Sequence, residues 1–158
     1  MQALTAHSGN STTSSAVPSS TAAASSTTST FAAATPTYIP LSDCPASNDT
    51  SYTSSFAQSS SSSSSGLSFS KYCGFAGPLS RSNAYKMAEA FVYSFSDCIE
   101  VCAGLNYYSA DSNCTVAVYQ PSGSRPGNCW VGSASDATVS SLSVQQGTDV
   151  ALLKQLSL

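Results

Sequence analysis

Charge is the scarcest feature of this chain: charged residues make up 8% of its 158 residues, and the formal net charge is -3. With so few cations there is no basic field to hold a phosphate backbone or an anionic lipid surface, which excludes nucleic acid as a partner. The five cations, Lys71, Arg81, Lys86, Arg125 and Lys154, are scattered singly and read as solvated surface groups. Histidine is nearly absent too. His7, the single one, lies in a segment where nothing can orient it, so a serine or cysteine nucleophile has no base and a hydrolase triad is excluded. No C-x-x-C pair occurs, and without closely spaced thiolates or a nearby histidine a structural zinc site has no ligand set. The start, Met1-Gln2-Ala3-Leu4-Thr5-Ala6-His7, has neither a basic region nor an apolar core. No signal peptide and no membrane span is expected within this sequence.

Cysteine, by contrast, is plentiful. Cys44, Cys73, Cys98, Cys102, Cys114 and Cys129 make an even count in a short region, which points to disulfides and an oxidising compartment. Asn10, Asn48 and Asn113 each head an Asn-X-Ser/Thr triplet and are candidate N-glycosylation sites on a secretory route. A secreted, disulfide-bonded chain without a leader is reconciled most simply as a fragment, a truncated gene model, or an ectodomain whose anchor precedes Met1.

Composition divides the chain near Tyr38. Residues 1–37 are dominated by Ser, Thr, Ala and Pro, too poor in apolar side chains to offset the entropy of ordering, and are expected to form a disordered stalk. Such a stalk is either O-glycosylated and stiffened or a bare linker. Residues 38–158 hold all the cysteines, with a core expected over 43–153 and a flexible serine-rich loop at about 54–66. The unbroken serines from Ser59 to Ser65 read as the loop of a long hairpin. Leu67, Phe69 and Lys71 alternate ahead of Cys73 and predict a half-buried strand ending there. Ala88–Tyr93 reads as a second strand. Ser94, with Asp97 three residues on, is a helix N-cap, and Cys98 and Cys102 at i and i+4 share one helix face with Ile99 and Val101 beside them. Cys114–Tyr119 and Cys129–Val131 are strand-like, separated by the Gly- and Pro-bearing loop Pro121–Asn128, and Asp149–Leu153 reads as a closing strand.

This order of features resembles the PAN/apple-like domains of filamentous fungal surface and secreted proteins over Asp43 to Leu153. The residues that carry the resemblance are Cys44–Tyr52, Phe69–Cys73, Ser94–Cys102, Cys114–Tyr119 and Gly127–Trp130; Pro78–Ala88 does not follow the pattern. The resemblance implies a small disulfide-rich α+β domain, one helix packed on an antiparallel sheet. It implies bridges from Cys98 to Cys129 and from Cys102 to Cys114, which leaves Cys44 to Cys73 of the fifteen pairings that six cysteines allow. Each bridge is expected to contribute about 2–4 kcal/mol.

No nucleophile, base or metal set converges in the sequence, so binding rather than catalysis is expected of a rigid stapled scaffold. The carboxylates Asp43, Asp49, Glu89, Glu100, Asp111, Asp136 and Asp149 supply a glycosidase only if two oppose each other across a cleft, and Asp97 and Glu100 are accounted for by the helix dipole. No metal or cofactor is expected. Tyr107, Tyr108, Tyr119, Arg125 and Trp130, placed near the β-hairpin loop, are candidate ligand-binding residues for a carbohydrate or protein at a cell surface or wall. Tyr119 and Trp130 also alternate along strands, one face of which must be core. A structural coat or wall component without a specific ligand is the competing expectation.

Overall fold

The computed structural model describes residues 38–57, 66–109 and 113–154. The stalk, the serine run, Asn10 and Asp111 lie outside the described residues. The elements are β1 (Ser51–Ala57), β2 (Gly66–Phe75), β3 (Tyr85–Ala90), α1 (Phe95–Tyr108), β4 (Val116–Tyr119), β5 (Cys129–Ser133) and β6 (Val144–Leu153). The strands form one six-stranded sheet in the order β1-β2-β6-β4-β5-β3, and every neighbouring pair is antiparallel. The last strand therefore closes the middle of the sheet.

β4 shows why this sheet has two covered faces. All four of its residues are buried, as expected of an uninterrupted apolar run rather than an alternating one. Ala117 and Tyr119 face the helix with Phe95, Cys98, Ile99, Cys102 and Ala103. Val116 and Val118 face the other way, where Val150 and Leu152 of β6 join them under Leu79, Ala137 and Leu142. Two short 3-10 turns, Pro78–Ser80 and Val139–Ser141, bring those covering residues over the sheet.

The helix begins as its sequence dictates. The Ser94 hydroxyl accepts from the Asp97 amide at 3.0 Å, satisfying one of the amides that a helix start leaves without a partner. Glu100, expected to serve only the helix dipole, ties the edge strand β1 to the helix. Its carboxylate accepts from the Tyr52 hydroxyl at 2.7 Å and from the Ser55 amide and hydroxyl at 2.8 and 2.9 Å. Burial first, and then Glu100, push the Tyr52 hydroxyl up to about 12.

Several boundaries differ from expectation: the strand expected at Cys114–Tyr119 begins at Val116, the one expected at Cys129–Val131 runs on to Ser133, and the loop expected at about 54–66 is narrower, because Ser54–Ala57 continue β1 and Gly66 already belongs to β2. β2 runs on past Cys73 to Phe75, and β6 begins at Val144 rather than Asp149. The added part of β6 is largely exposed, so no hydrophobic pattern marked it. The strand expected at Ala88–Tyr93 lies instead at Tyr85–Ala90, paired with β5. Its end has a specific cause: the fully buried Asn128 side chain accepts from the Val92 amide at 2.8 Å and donates to the Val92 carbonyl at 2.9 Å. A side-chain amide thereby replaces the sheet ladder and frees the chain to turn into the helix.

Lys71 corrects the reading of all five cations as solvated. It is only 4% exposed, pairs with the Asp43 carboxylate, and holds its ammonium 4.8 Å from the centroid of the Phe95 ring. Strand alternation compels this, because Lys71 follows Leu67 and Phe69 on the inward face of β2. Burial raises the Asp43 pKa, but the hydrogen bond and charge of Lys71, with the Ser47 hydroxyl, outweigh it and leave the carboxyl below its ordinary 3.8. The pair's stabilisation is thus complete above the unfolded-state value and is lost as pH falls through the depressed one. Asp43→Ala, which strands a buried ammonium, is expected to cost about 2–3 kcal/mol, less than for a fully buried pair because the carboxylate is half exposed. Lys71→Met is expected to stay within about 1 kcal/mol of the parent in urea unfolding.

Candidate functional site

The cysteines pair as Cys44–Cys73, Cys98–Cys129 and Cys102–Cys114, and no free cysteine remains. The latter two run from the inner face of α1 to β5 and to the segment just ahead of β4, and all four of their cysteines are fully buried. Asn106 secures the same corner, donating to the Cys114 carbonyl at 2.8 Å and accepting from the Cys114 amide at 2.7 Å. The sequon residues Asn48 and Asn113 are both exposed.

The aromatic residues expected near one loop do not converge. Tyr119 is a core residue: it is fully buried, stacks nearly parallel on Phe95 at 5.8 Å, and donates its hydroxyl to the Leu41 carbonyl at 2.9 Å. Burial, followed by the charges of Asp97, Asp149 and Asp43, pushes that hydroxyl up to about 12. Trp130 is half-buried on the sheet face away from the helix, where it lines a shallow cavity of about 210 Å³ with Leu79, Gln120, Gln145 and Thr148. Tyr107 and Tyr108 close the end of α1 and pack on Phe56 of β1, Tyr107 tilted and Tyr108 edgewise, with ring centroids 5.5 and 5.7 Å away. Arg125 stands alone among the five in facing a different set of rings.

That set is an aromatic strip in which Tyr38 and Tyr93 are exposed and Phe91 is half-buried. The Arg125 guanidinium lies 4.8 Å from the Phe91 ring centroid, Phe91 meets Tyr93 at 5.7 Å, and Tyr93 meets Tyr38 at 5.5 Å. Ile39 and Leu41, 76% and 70% exposed, extend it. The segment is held in place, since the Leu41 amide donates to the Tyr93 carbonyl at 2.8 Å while its carbonyl receives Tyr119. Phe91 and Tyr93 went unnoticed in the sequence, yet a signal existed. They flank Val92, which packs against the core, in the segment read as a strand, and alternation there would turn both rings away from that core; Tyr93 is exposed and Phe91 half-buried.

Beside the strip, Leu41 leads into Ser42, which lines a polar cleft of about 470 Å³ along the Cys44–Cys73 bridge. Asn48, Gln146 and Asp149 also line it. Cys44, Cys73 and Asp149 bring potential metal-ligating atoms within 4.8 Å of one another, but the two sulfurs are bonded to each other and are not thiolates. No helix among the described residues is long and apolar enough to cross a membrane. No family model, curated protein or solved structure matches the chain.

Proposed function

We propose that this chain is a secreted or cell-surface recognition module of the PAN/apple type, without catalytic activity, that binds neutral polysaccharide in a cell wall. The observation that carries this reading is the strip of Tyr38, Phe91, Tyr93 and Arg125. Exposed rings offer flat apolar faces to the C–H faces of pyranose units, and a guanidinium offers several donors to their hydroxyls. The low charge of the whole domain favours a neutral ligand over an ionic one. Three bridges suit an oxidising, extracellular setting.

Several carboxylates among the described residues already serve structural partners, which fits a binding role. Asp43 is engaged by Lys71, Glu89 by Lys86, and Glu100 by β1. Asp149 accepts from the Gly74 amide at 3.1 Å.

The test is retention of the oxidised domain on insoluble wall polysaccharides and on isolated wall proteins. Tyr93→Ala and Arg125→Ala are each expected to weaken polysaccharide binding about fivefold or more while leaving the thermal midpoint near the parent's, since both side chains are exposed. Saturable binding to a wall protein alone would replace the ligand class. No binding at all by a verifiably disulfide-bonded domain would favour the structural coat.

A further inference from the structure

The cleft beside Cys44–Cys73 originates in a break in the sheet. Cys73 of β2 pairs with Asp149 of β6, and the next pair is Phe75 with Val144. Gly74 alone therefore faces residues 145–148. Gly74 and Gly147 take left-handed backbone angles there, with φ of 76° and 79°, a conformation that glycine adopts at no steric cost. Such irregularities re-aim side chains that a regular ladder would place on the sheet faces. Here the break sets Gln146 and Gly147 at the rim of the cleft, over Asp149.

The polar groups around this cleft have unused capacity. Asp149 is 4% exposed; one carboxylate oxygen accepts from the Gly74 amide at 3.1 Å, and the other meets the Ser42 hydroxyl only at 3.5 Å. A carboxylate has about four acceptor positions, so at least one is left for a ligand. The Asn48 carbonyl oxygen is taken by the Cys73 amide at 2.8 Å, while its N–H groups donate to none of the described residues. Gln146 makes no side-chain hydrogen bond with the described residues. The cleft thus offers an acceptor at its floor and amide donors at its edge, between the apolar walls of Pro45, Pro121 and the disulfide.

We infer that this cleft is a binding site for a single neutral sugar residue, held through two adjacent hydroxyls. Each hydroxyl of a vicinal diol both donates and accepts, so it can donate to Asp149 while accepting from Asn48 or Gln146. The C–H edge of the ring then rests on the prolines and the sulfurs. An anionic ligand would meet the Asp149 carboxylate directly. The volume of about 470 Å³ lies in the range of roughly 300–1,000 Å³ typical of small-molecule sites. None of these lining residues belongs to the aromatic strip, so the site stands whether or not the strip binds polysaccharide.

The test is an NMR titration of the oxidised full chain with the methyl glycosides of glucose, mannose, galactose and N-acetylglucosamine. Methylammonium and glucuronate serve as cationic and anionic comparisons. Saturable shifts of the Asn48 and Gln146 side-chain amides and of the Gly74 backbone amide with one or more neutral glycosides are expected. Gln146→Ala should weaken that binding about three- to tenfold, and Asp149→Asn about tenfold or more. Asp149→Asn leaves an oxygen to accept from Gly74, and burial already disfavours the charged form, raising the Asp149 pKa, so the variant should fold. Tyr85→Ala, at an exposed ring outside both the cleft and the strip, should leave monosaccharide binding unchanged. Shifts confined to the strip, binding of methylammonium or glucuronate alone, affinity unaltered in both cleft variants, or no shift with any glycoside would each overturn the assignment.

Discussion

Replacing Cys98 and Cys129 together with alanine is expected to destabilise the domain by more than replacing Cys44 and Cys73 together, although the two bridges close loops of nearly equal length. Their sequence separations are 31 and 29 residues. The chain-entropy contribution is therefore nearly the same, about 3–4 kcal/mol in each case. The difference comes from burial. Cys98 and Cys129 are fully buried between helix and sheet, whereas Cys44 and Cys73 are partly exposed at the cleft. Removing the inner sulfurs leaves a cavity as well as a longer free chain, and the added cost should be about 1–2 kcal/mol. The same asymmetry governs access: mild thiol treatment followed by alkylation and mass spectrometry should label Cys44 and Cys73 well before the other four. Equal destabilisation by the two double variants, or simultaneous labelling of all six cysteines in the folded protein, would contradict this account of the core.

The second large effect is expected at Tyr119. Tyr119→Ala removes a fully buried ring that stacks on Phe95 and a hydroxyl that holds Leu41. The loss should be about 3–5 kcal/mol by urea denaturation, and the domain should stay folded only if its bridges remain closed. Tyr119→Phe keeps the ring but leaves the Leu41 carbonyl without its side-chain donor, for a loss of about 1 kcal/mol. The milder variant also separates stability from function: by freeing Leu41 it should loosen the Tyr38–Leu41 segment and weaken any binding that depends on the strip. A Tyr119→Phe domain that binds as the parent does would show that this anchor is dispensable.

Local signals in the chain were enough for the helix. Ser94, Asp97 and the cysteine pair at i and i+4 announce a capped helix with one buried face, because capping and periodicity act within a few residues. The strands rich in β-branched and aromatic residues were legible to within two residues at their ends, notably those expected at Cys114–Tyr119 and Cys129–Val131 and found at Val116–Tyr119 and Cys129–Ser133. Less legible were segments whose partners are distant. Tyr85–Ala90 is a strand because β5 is there to pair with it, and it stops because Asn128, far along the chain, takes the hydrogen bonds of Val92. Lys71 looked like any exposed lysine until strand alternation and the Asp43 carboxylate placed it inside.

The candidate sites divide in the same way. That Phe91 and Tyr93 point away from the core side chain of Val92 is suggested by three consecutive residues. Their meeting with Arg125 and Tyr38 is not, since those residues come from separate loops that the sheet order brings to one edge. The cleft is further from the sequence still. Ser42, Asn48, Gln146 and Asp149 share it because β6, the last strand, inserts beside β2, and because Gly74 and Gly147 break the ladder between them. What the sequence by itself determined is whatever short-range chemistry enforces: an even set of cysteines, a capped helix, apolar strands and a domain poor in charge. Which strand lies beside which, and so which polar groups face one another, was decided only by the tertiary structure, because burying both sheet faces at once depends on contacts between residues far apart in the chain.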